Sequence, residues 1–307
     1  MDFKTLRPVH VLLAFFALTG LGLVISFTTL TGGRSLLDES HNYHAPAHPN
    51  ALFFAGEPVP MDLFWVRESF DRELLVNTYW HSSTFLSLKR SGRYFPMIEP
   101  ILKARGIPED FKYLAVIESG LMQAVSPSGA RGIWQFLPAT AKEYGLMVND
   151  EVDERYHVEK ATQAACDYLQ AAKDTLGSWT LAAAAYNAGK GGIRRAVKAQ
   201  GAADYYALNL NTETARYVFR ILALKTLMEQ PLQHGYAITE QEKYPAARYA
   251  TVTVDTAVPD LSRLAAGLGI SYRALKEMNP WMRSTSLPRP VGKPWEVQVP
   301  EKGGRWY

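Results

Sequence analysis

Cysteine is nearly absent: Cys166 stands alone among 307 residues. One thiol excludes a disulfide framework and a cysteine-based zinc site, and suits small core packing. Charge of one sign is also scarce. Thirty-three Lys and Arg oppose 30 Asp and Glu for a formal charge of +3, too small and too dispersed for the footprint of a nucleic-acid binder, so no nucleic-acid partner is expected. Nor is the chain short of apolar residues. With 47% hydrophobic and 21% charged residues the composition is that of a folding chain, and the length predicts about two domains.

The longest apolar run lies at the start. Val11 to Phe27 carries no charge, continues through uncharged threonines to Leu30, and follows Lys4 and Arg7. A span of ~20 residues matches a bilayer crossing better than the ~7 to 15 residues of a signal core. Residues 1–30 are therefore read as a membrane anchor with its basic end in the cytoplasm and the rest exported to face the periplasm, cleavage of the segment being the alternative. Residues 31–55 have neither helical nor alternating period and are read as a tether. His41, His44 and His48 within it have spacings a metal could use, but a polar linker without carboxylate or thiolate company is the preferred reading. No metal and no cofactor are expected.

From Asp62 to Glu229 apolar residues recur at three and four, with proline or glycine at the breaks, which predicts helices and few strands. Val158, Ala161, Ala165, Leu169, Ala172 and Leu176 form one stripe that Gly177 can cap, and the alanine-rich run Leu181 to Ala185 suits a closely packed helix. One short helix carries a carboxylate on its apolar side. After Pro108, the residues Phe111, Leu114, Ala115 and Glu118 share a face that Gly120 terminates. A carboxyl withdrawn from water resists ionisation, as a general acid near neutrality must, and a helix C-terminus gives surface Glu little support.

Around that glutamate the sequence becomes specific. Glu118-Ser119-Gly120 is followed by Ala124-Val125-Ser126-Pro127-Ser128-Gly129-Ala130-Arg131-Gly132-Ile133-Trp134-Gln135-Phe136, then Pro138-Ala139-Thr140-Ala141 and Tyr144-Gly145-Leu146. Two more blocks come in order: Ala185-Tyr186-Asn187-Ala188-Gly189, and Glu213-Thr214 with Arg216-Tyr217-Val218. Together these resemble the lytic murein transglycosylases of the Slt type, especially the membrane-bound D-like branch. The resemblance implies a mainly α protein with a lysozyme-like helical catalytic domain, here over 56–235. It also implies cleavage of the β-1,4 bond between N-acetylmuramic acid and N-acetylglucosamine in peptidoglycan without water, leaving a 1,6-anhydromuramoyl end. Glu118 is then the acid and afterwards the base. Ser126 matches the serine that contacts the N-acetyl or muramoyl groups, Gln135 the glutamine lining the cleft and Tyr186 the tyrosine whose hydroxyl lies near the acid, so the resemblance implies substrate binding by all three. Glu213 and Tyr217 match the closing block, with cleft support and sugar contact both open. Leu121, Met122 and Gln123 depart from the family, which often has an aromatic and a proline in a longer stretch; Met122 is read as loop packing. Trp134 is open between sugar stacking and a core wedge, and Arg131 and Arg216 between acidic substrate groups and local pairing.

Past Tyr236 the texture changes. Arg248 to Val254 alternates, Leu261 to Leu268 and Tyr272 to Met278 return to helical spacing, and Trp295 to Val299 alternates again. Asp260 and Ser271 are fit to cap the two helices and Gly269 to end the first. This strand, helix, helix, strand order and Ile270-Ser271-Tyr272, Leu275 and Asn279-Pro280 resemble a LysM module, a small α+β (βααβ) binder of glycan chains, over 245–301. The usual Gly-Asp-Thr entry is replaced by Asp255-Thr256-Ala257-Val258-Pro259, and Trp281 and Trp295 are each open between sugar stacking and core anchoring. Peptidoglycan strands are the partner these readings imply, beside the membrane. Two rivals stand: a hydrolytic goose-type muramidase on the same scaffold, and a noncatalytic wall-binding scaffold.

Overall fold

The computed structural model describes residues 44–301. The apolar segment of residues 11–30 and most of the tether lie outside them. Among the described residues no helix is long and apolar enough to cross a membrane.

The helical period between Asp62 and Glu229 yields α1 (Phe64–Tyr79), α2 (His81–Ala104), α3 (Lys112–Ser119), α4 (Pro138–Glu143), α5 (Val158–Leu176), α6 (Trp179–Ala188), α7 (Lys190–Gln200) and α8 (Thr212–Glu229). Local chemistry sets their ends. Gly177 takes φ 89° after α5, a left-handed cap that a side chain disfavours, and Ser178 then accepts the Leu181 amide to start α6. Asn211 does the same for α8 through the Thr214 amide. Helix α6 is the centre of the body: Leu181 to Ala185 are wholly buried, with α5, α7 and α8 packed against it. Small side chains let three helices close on a fourth, and Tyr168 of α5 donates its hydroxyl to the Ala185 carbonyl at 2.6 Å. Cys166 is buried in the same core.

Residues 46–55, which the composition assigns to a tether, belong to the folded body. The compact body begins at Pro46. Strands β1 (Phe53–Phe54) and β2 (Glu57–Pro58) make a minimal antiparallel hairpin. Leu52 and Phe54 are buried in the helical core, Phe54 edge-on to Phe111 at 5.2 Å. His48 meets Asp71 at 2.7 Å through Nε2. Strands of two residues leave no period to read, which is why this stretch looks like linker in the sequence.

The carboxyl-terminal unit has the expected order. Strand β3 (Tyr249–Val254), α9 (Leu261–Gly267), α10 (Tyr272–Met278) and β4 (Trp295–Pro300) follow one another, and β3 pairs antiparallel with β4 from Tyr249 opposite Pro300 to Val254 opposite Trp295. Asp260 accepts the Ser262 and Arg263 amides, and Ser271 the Ala274 amide. Trp281 and Trp295 are both buried in this unit's core with ring centroids 5.5 Å apart, so both anchor the core. A unit this small needs such anchors.

That core is shared with the helical body. Val152 and Tyr156 belong to it, Val152 bridges Met282, and the Asp153 amide donates to the Trp281 carbonyl at 2.9 Å. Tyr249 donates to Glu159 at 2.6 Å, and the Arg283 guanidinium lies 4.3 Å from the Tyr156 ring centroid.

Candidate active site

Helix α3 is apolar almost all round. Tyr113 through Ile117 are buried on every side, so its last turn is carried into the interior and Glu118 goes with it. Gly120 ends the helix at φ 60°, and Leu121, fully buried, follows at φ 57°. Two successive left-handed residues reverse the chain sharply, and burial of the leucine side chain holds the second of them in a conformation that costs about 1–3 kcal/mol. The turn is tied down from both sides. Ser119 donates its hydroxyl to the Ile133 carbonyl at 2.9 Å, and Arg90 donates to the Gly120 carbonyl at 3.2 Å.

Glu118 retains partial exposure as a residue while its carboxyl is deeply set. Burial pushes its pKa up to about 7; the Tyr217 hydroxyl and the Arg220 charge pull it down, and Glu213 pushes it up. Tyr217 donates directly to Glu118 Oε1 in a short hydrogen bond, and burial followed by the Glu118 charge keeps that phenol well above its ordinary pKa. The pair therefore sits as a carboxyl and an obligatory hydroxyl donor. Tyr186 stands beside them: its hydroxyl donates to the Trp134 carbonyl at 2.8 Å, and burial and then Glu118 raise its pKa too. Glu213 is exposed in the first turn of α8, one helical turn before Tyr217, and accepts from Asn187 Nδ2 at 3.0 Å. Asn187 Oδ1 in turn accepts from Thr214 at 2.8 Å, which joins the end of α6 to the start of α8.

Glu118, Tyr217, Tyr186 and Glu213 thus converge from α3, α6 and α8. Ser126 and Gln135 lie on the loop that follows α3. Ser126 Oγ accepts the Ala130 amide at 3.0 Å and pairs with Ser128 at 2.9 Å, while Gln135, at φ 51°, donates to the Ala124 and Gly132 carbonyls at 3.1 and 2.7 Å. Among the described residues neither is hydrogen-bonded to Glu118; both brace the 124–136 loop. Trp134 is wholly buried and donates to Thr162 at 2.8 Å, so it is a core wedge. Met122 is 46% exposed, contrary to the loop-packing expectation: the tight reversal buries Leu121 and turns the next residue outward. Arg131 pairs with Asp153 at 3.4 Å and Arg216 with Glu73 at 2.6 Å, which settles both as locally paired.

Two residues that sequence reasoning passed over shape the site. Arg155 is buried, grips Asp153 at 2.8 and 2.7 Å, and donates to the Gly129 and Phe136 carbonyls at 2.9 and 3.1 Å, pinning the middle and the end of the loop. Gly132 packs so closely that a Cβ would lie 1.9 Å from the Arg155 carbonyl oxygen, and its φ is 80°. Arg220 brings positive charge towards Glu118 and donates to the Ile117 carbonyl at 3.3 Å. Its spacing from Tyr217, one turn along α8, was the available signal.

A buried carboxyl with a raised pKa, a phenol donor and a neighbouring acidic side chain is an acid poised for proton transfer. Residues 96–209 match the transglycosylase SLT domain family. That stretch is similar to an SLT domain. Residues 250–303 match the soluble lytic transglycosylase C-terminal LysM-like domain family. The chain is 30% identical over 243 residues to membrane-bound lytic murein transglycosylase D of Escherichia coli (strain K12) and equally to that of Escherichia coli O6:H1, covering 77% of this chain and 52% of each relative. It therefore spans about half the length of the curated relatives it matches. An inactive mutant of the lytic transglycosylase Slt from Pseudomonas aeruginosa shares 24% identity over 50% of this chain and 26% of that one, with a TM-score of 0.38. The mainly helical, lysozyme-like SLT domain with a LysM-like unit after it is the fold class the sequence implies.

Proposed function

We propose that this chain is a peptidoglycan lytic transglycosylase that cleaves the N-acetylmuramic acid-β-1,4-N-acetylglucosamine bond. The observation that carries the reading is Glu118, held at about 7 by burial against the Tyr217 hydroxyl, within an SLT domain. At neutral pH about half of such carboxyls carry the proton that the glycosidic oxygen needs as the bond breaks. The carboxylate left behind takes the proton of the muramoyl C6 hydroxyl as that oxygen closes on C1, and a tethered hydroxyl gains effective concentration of up to about 10⁵–10⁸ M over a free one. The residue is regenerated and no water is consumed. Tyr217 hydrogen-bonds the carboxylate form, and Tyr186 and Glu213 border the same space. Most glycosidases need a carboxylate pair; among the described residues Glu213 is the one acidic side chain that acts on Glu118, and its role is to favour the protonated acid. Ser126 and Gln135 serve by holding the loop on which the sugar rests.

The membrane-bound relatives support a periplasmic, membrane-associated enzyme, anchored in the inner membrane through residues 1–30, with the helical and LysM-like units as its catalytic and glycan-binding parts. No cofactor enters the scheme. Digestion of purified sacculi with mass analysis of the ends tests it: anhydromuramoyl ends that vanish with Glu118→Gln, while sedimentation with peptidoglycan persists, are expected. Reducing ends would instead identify a hydrolytic muramidase, and unchanged cleavage by the variant would remove Glu118 from the chemistry.

A further inference from the structure

Helix α7 carries charge that its surroundings leave unanswered. Its 11 residues include Lys190, Arg194, Arg195 and Lys198 and no acid, four positive charges where the whole chain nets +3. Ile193 is buried on one side of the helix; Lys190, Arg194 and Lys198 follow one another at every fourth position on the other, with Arg195 beside them. Lys190 has partners, the Tyr144 hydroxyl at 2.6 Å and Glu143 at 3.8 Å. Among the described residues Arg194, Arg195 and Lys198 make no hydrogen bond and no ion pair, and all three are exposed. Asp204, the next acid along the chain, is engaged by the Tyr206 amide at 3.1 Å. Like charges four apart on a helix oppose it by about 0.2–0.5 kcal/mol per pair, so this face is held against its own repulsion.

The helix is tied to the rim of the Glu118 cleft at both ends. It starts four residues after Tyr186, and Asn187 between them holds Glu213 at 3.0 Å. At the far end Gln200 exchanges two hydrogen bonds with the Asn209 backbone, at 2.8 and 2.9 Å, four residues before Glu213. Arg195 folds back towards the start: its guanidinium lies over Gly191, where a Cβ would come within 3.4 Å of it. From Lys190 to Lys198 the stripe runs about 12 Å, and an extended peptide of four residues spans about 13–14 Å. Arg131 and Arg216 are already spent on Asp153 and Glu73. We propose that this face of α7 takes the carboxylates of the acidic peptide stem that branches from a muramoyl residue held in the Glu118 cleft, and so gives the protein a preference for stem-bearing over bare glycan strands. The inference rests on the glycan-cleaving reading and names the substrate form that reading leaves open.

Binding of the full chain carrying Glu118→Gln to soluble, uncrosslinked strands tests it, strands with intact stems being set against strands bared by an amidase. Stem-bearing strands should bind about tenfold more tightly at low salt, the worth of two or three exposed ion pairs, and the advantage should shrink as added salt shortens the screening length. Adding Arg194→Gln, Arg195→Gln and Lys198→Gln together should bring stem-bearing strands down to the level of bare ones and leave bare strands bound as before. Arg194→Lys with Arg195→Lys should keep the preference. Lys198→Glu alone carries the test if the triple variant does not fold, with an expected loss of about threefold on stem-bearing strands. Equal binding of the two strand forms before the α7 substitutions overturns the proposal, as does an equal loss on both forms after them. Loss of binding to phosphatidylglycerol vesicles in the triple variant, with strand binding intact, also overturns it and makes α7 a membrane surface. Sacculus digestion by the parent chain separates the two readings: anhydro ends without a stem preference leave the enzyme standing and sink the role of α7. A stem preference without anhydro ends does the reverse.

Discussion

Glu118 and Glu159 start from the same side chain and end at opposite extremes. Burial pushes both pKa values upward. At Glu118 it dominates, and the value rises to about 7 because only Tyr217 and a more distant Arg220 oppose it. At Glu159 hydrogen bonds from His157 and Tyr249 overcome it and bring the value down to about 2. The difference lies in what surrounds each carboxyl. Glu159 opens the first turn of α5, where the dipole favours negative charge, and it welds the carboxyl-terminal unit to the body. Glu118 ends α3, where the dipole opposes charge. One carboxylate is a fastener and the other a proton store, and the linkage between pKa and stability gives them opposite signatures.

The largest expected effect breaks the chemistry at one end of that comparison. Glu118→Gln should lower the release of anhydro ends by about 10²–10⁴-fold, the usual worth of a general acid or base. It should also stabilise the fold at alkaline pH. A group whose folded pKa is raised favours the native state while it holds its proton and loses that advantage as pH climbs from the unfolded value near 4.5 through 7. The parent should therefore lose up to about 3 kcal/mol relative to Glu118→Gln across that window, read by denaturant melts at pH 4 and pH 8. Gly132→Ala comes next. Its Cβ would collide with the Arg155 carbonyl at 1.9 Å, so a loss of about 3 kcal/mol or more is expected in the same melts, with activity falling as the loop shifts. Glu159→Gln should move stability the other way from Glu118→Gln. Its depressed pKa contributes stability above the unfolded value that is lost as pH falls from about 4.5 to about 2, so the variant should cost about 2 kcal/mol at pH 7, allowing for solvent screening, and almost nothing at pH 2. Tyr217→Phe sharpens the acid itself. It removes a hydrogen bond that favours the ionised form, so activity should fall about tenfold while the alkaline limb of the pH–rate profile moves upward.

Much of this was legible from residue types. A carboxylate on the apolar face of a short helix that Gly120 ends reads as buried, and burial fixes the direction of its pKa. Gly177, Asp260 and Ser271 mark helix ends because backbone geometry and orphan amides demand such residues there. Ser126 and Gln135 show where such reading stops: a hydroxyl and an amide suit a sugar and suit a loop equally, and the bonds each makes within residues 124–136 follow only from the path of that loop. The 53–58 hairpin is too short to leave a period. Arg155 resembles any surface arginine in an acidic stretch, because its burial depends on Asp153 and on two carbonyls about 20 to 26 residues upstream. The fusion of the LysM-like unit with the body through Val152 and Tyr156 was equally silent, since nothing in their sequence neighbourhood marks them as part of a second core.

The protonation state of Glu118 is the hinge of the account, and carbon-13 NMR of the side-chain carboxyl in glutamate-labelled protein, assigned by Glu118→Gln, measures it directly across pH. The account predicts a midpoint near 7 that rises further in Tyr217→Phe. A midpoint below 5, indifferent to Tyr217, would contradict it.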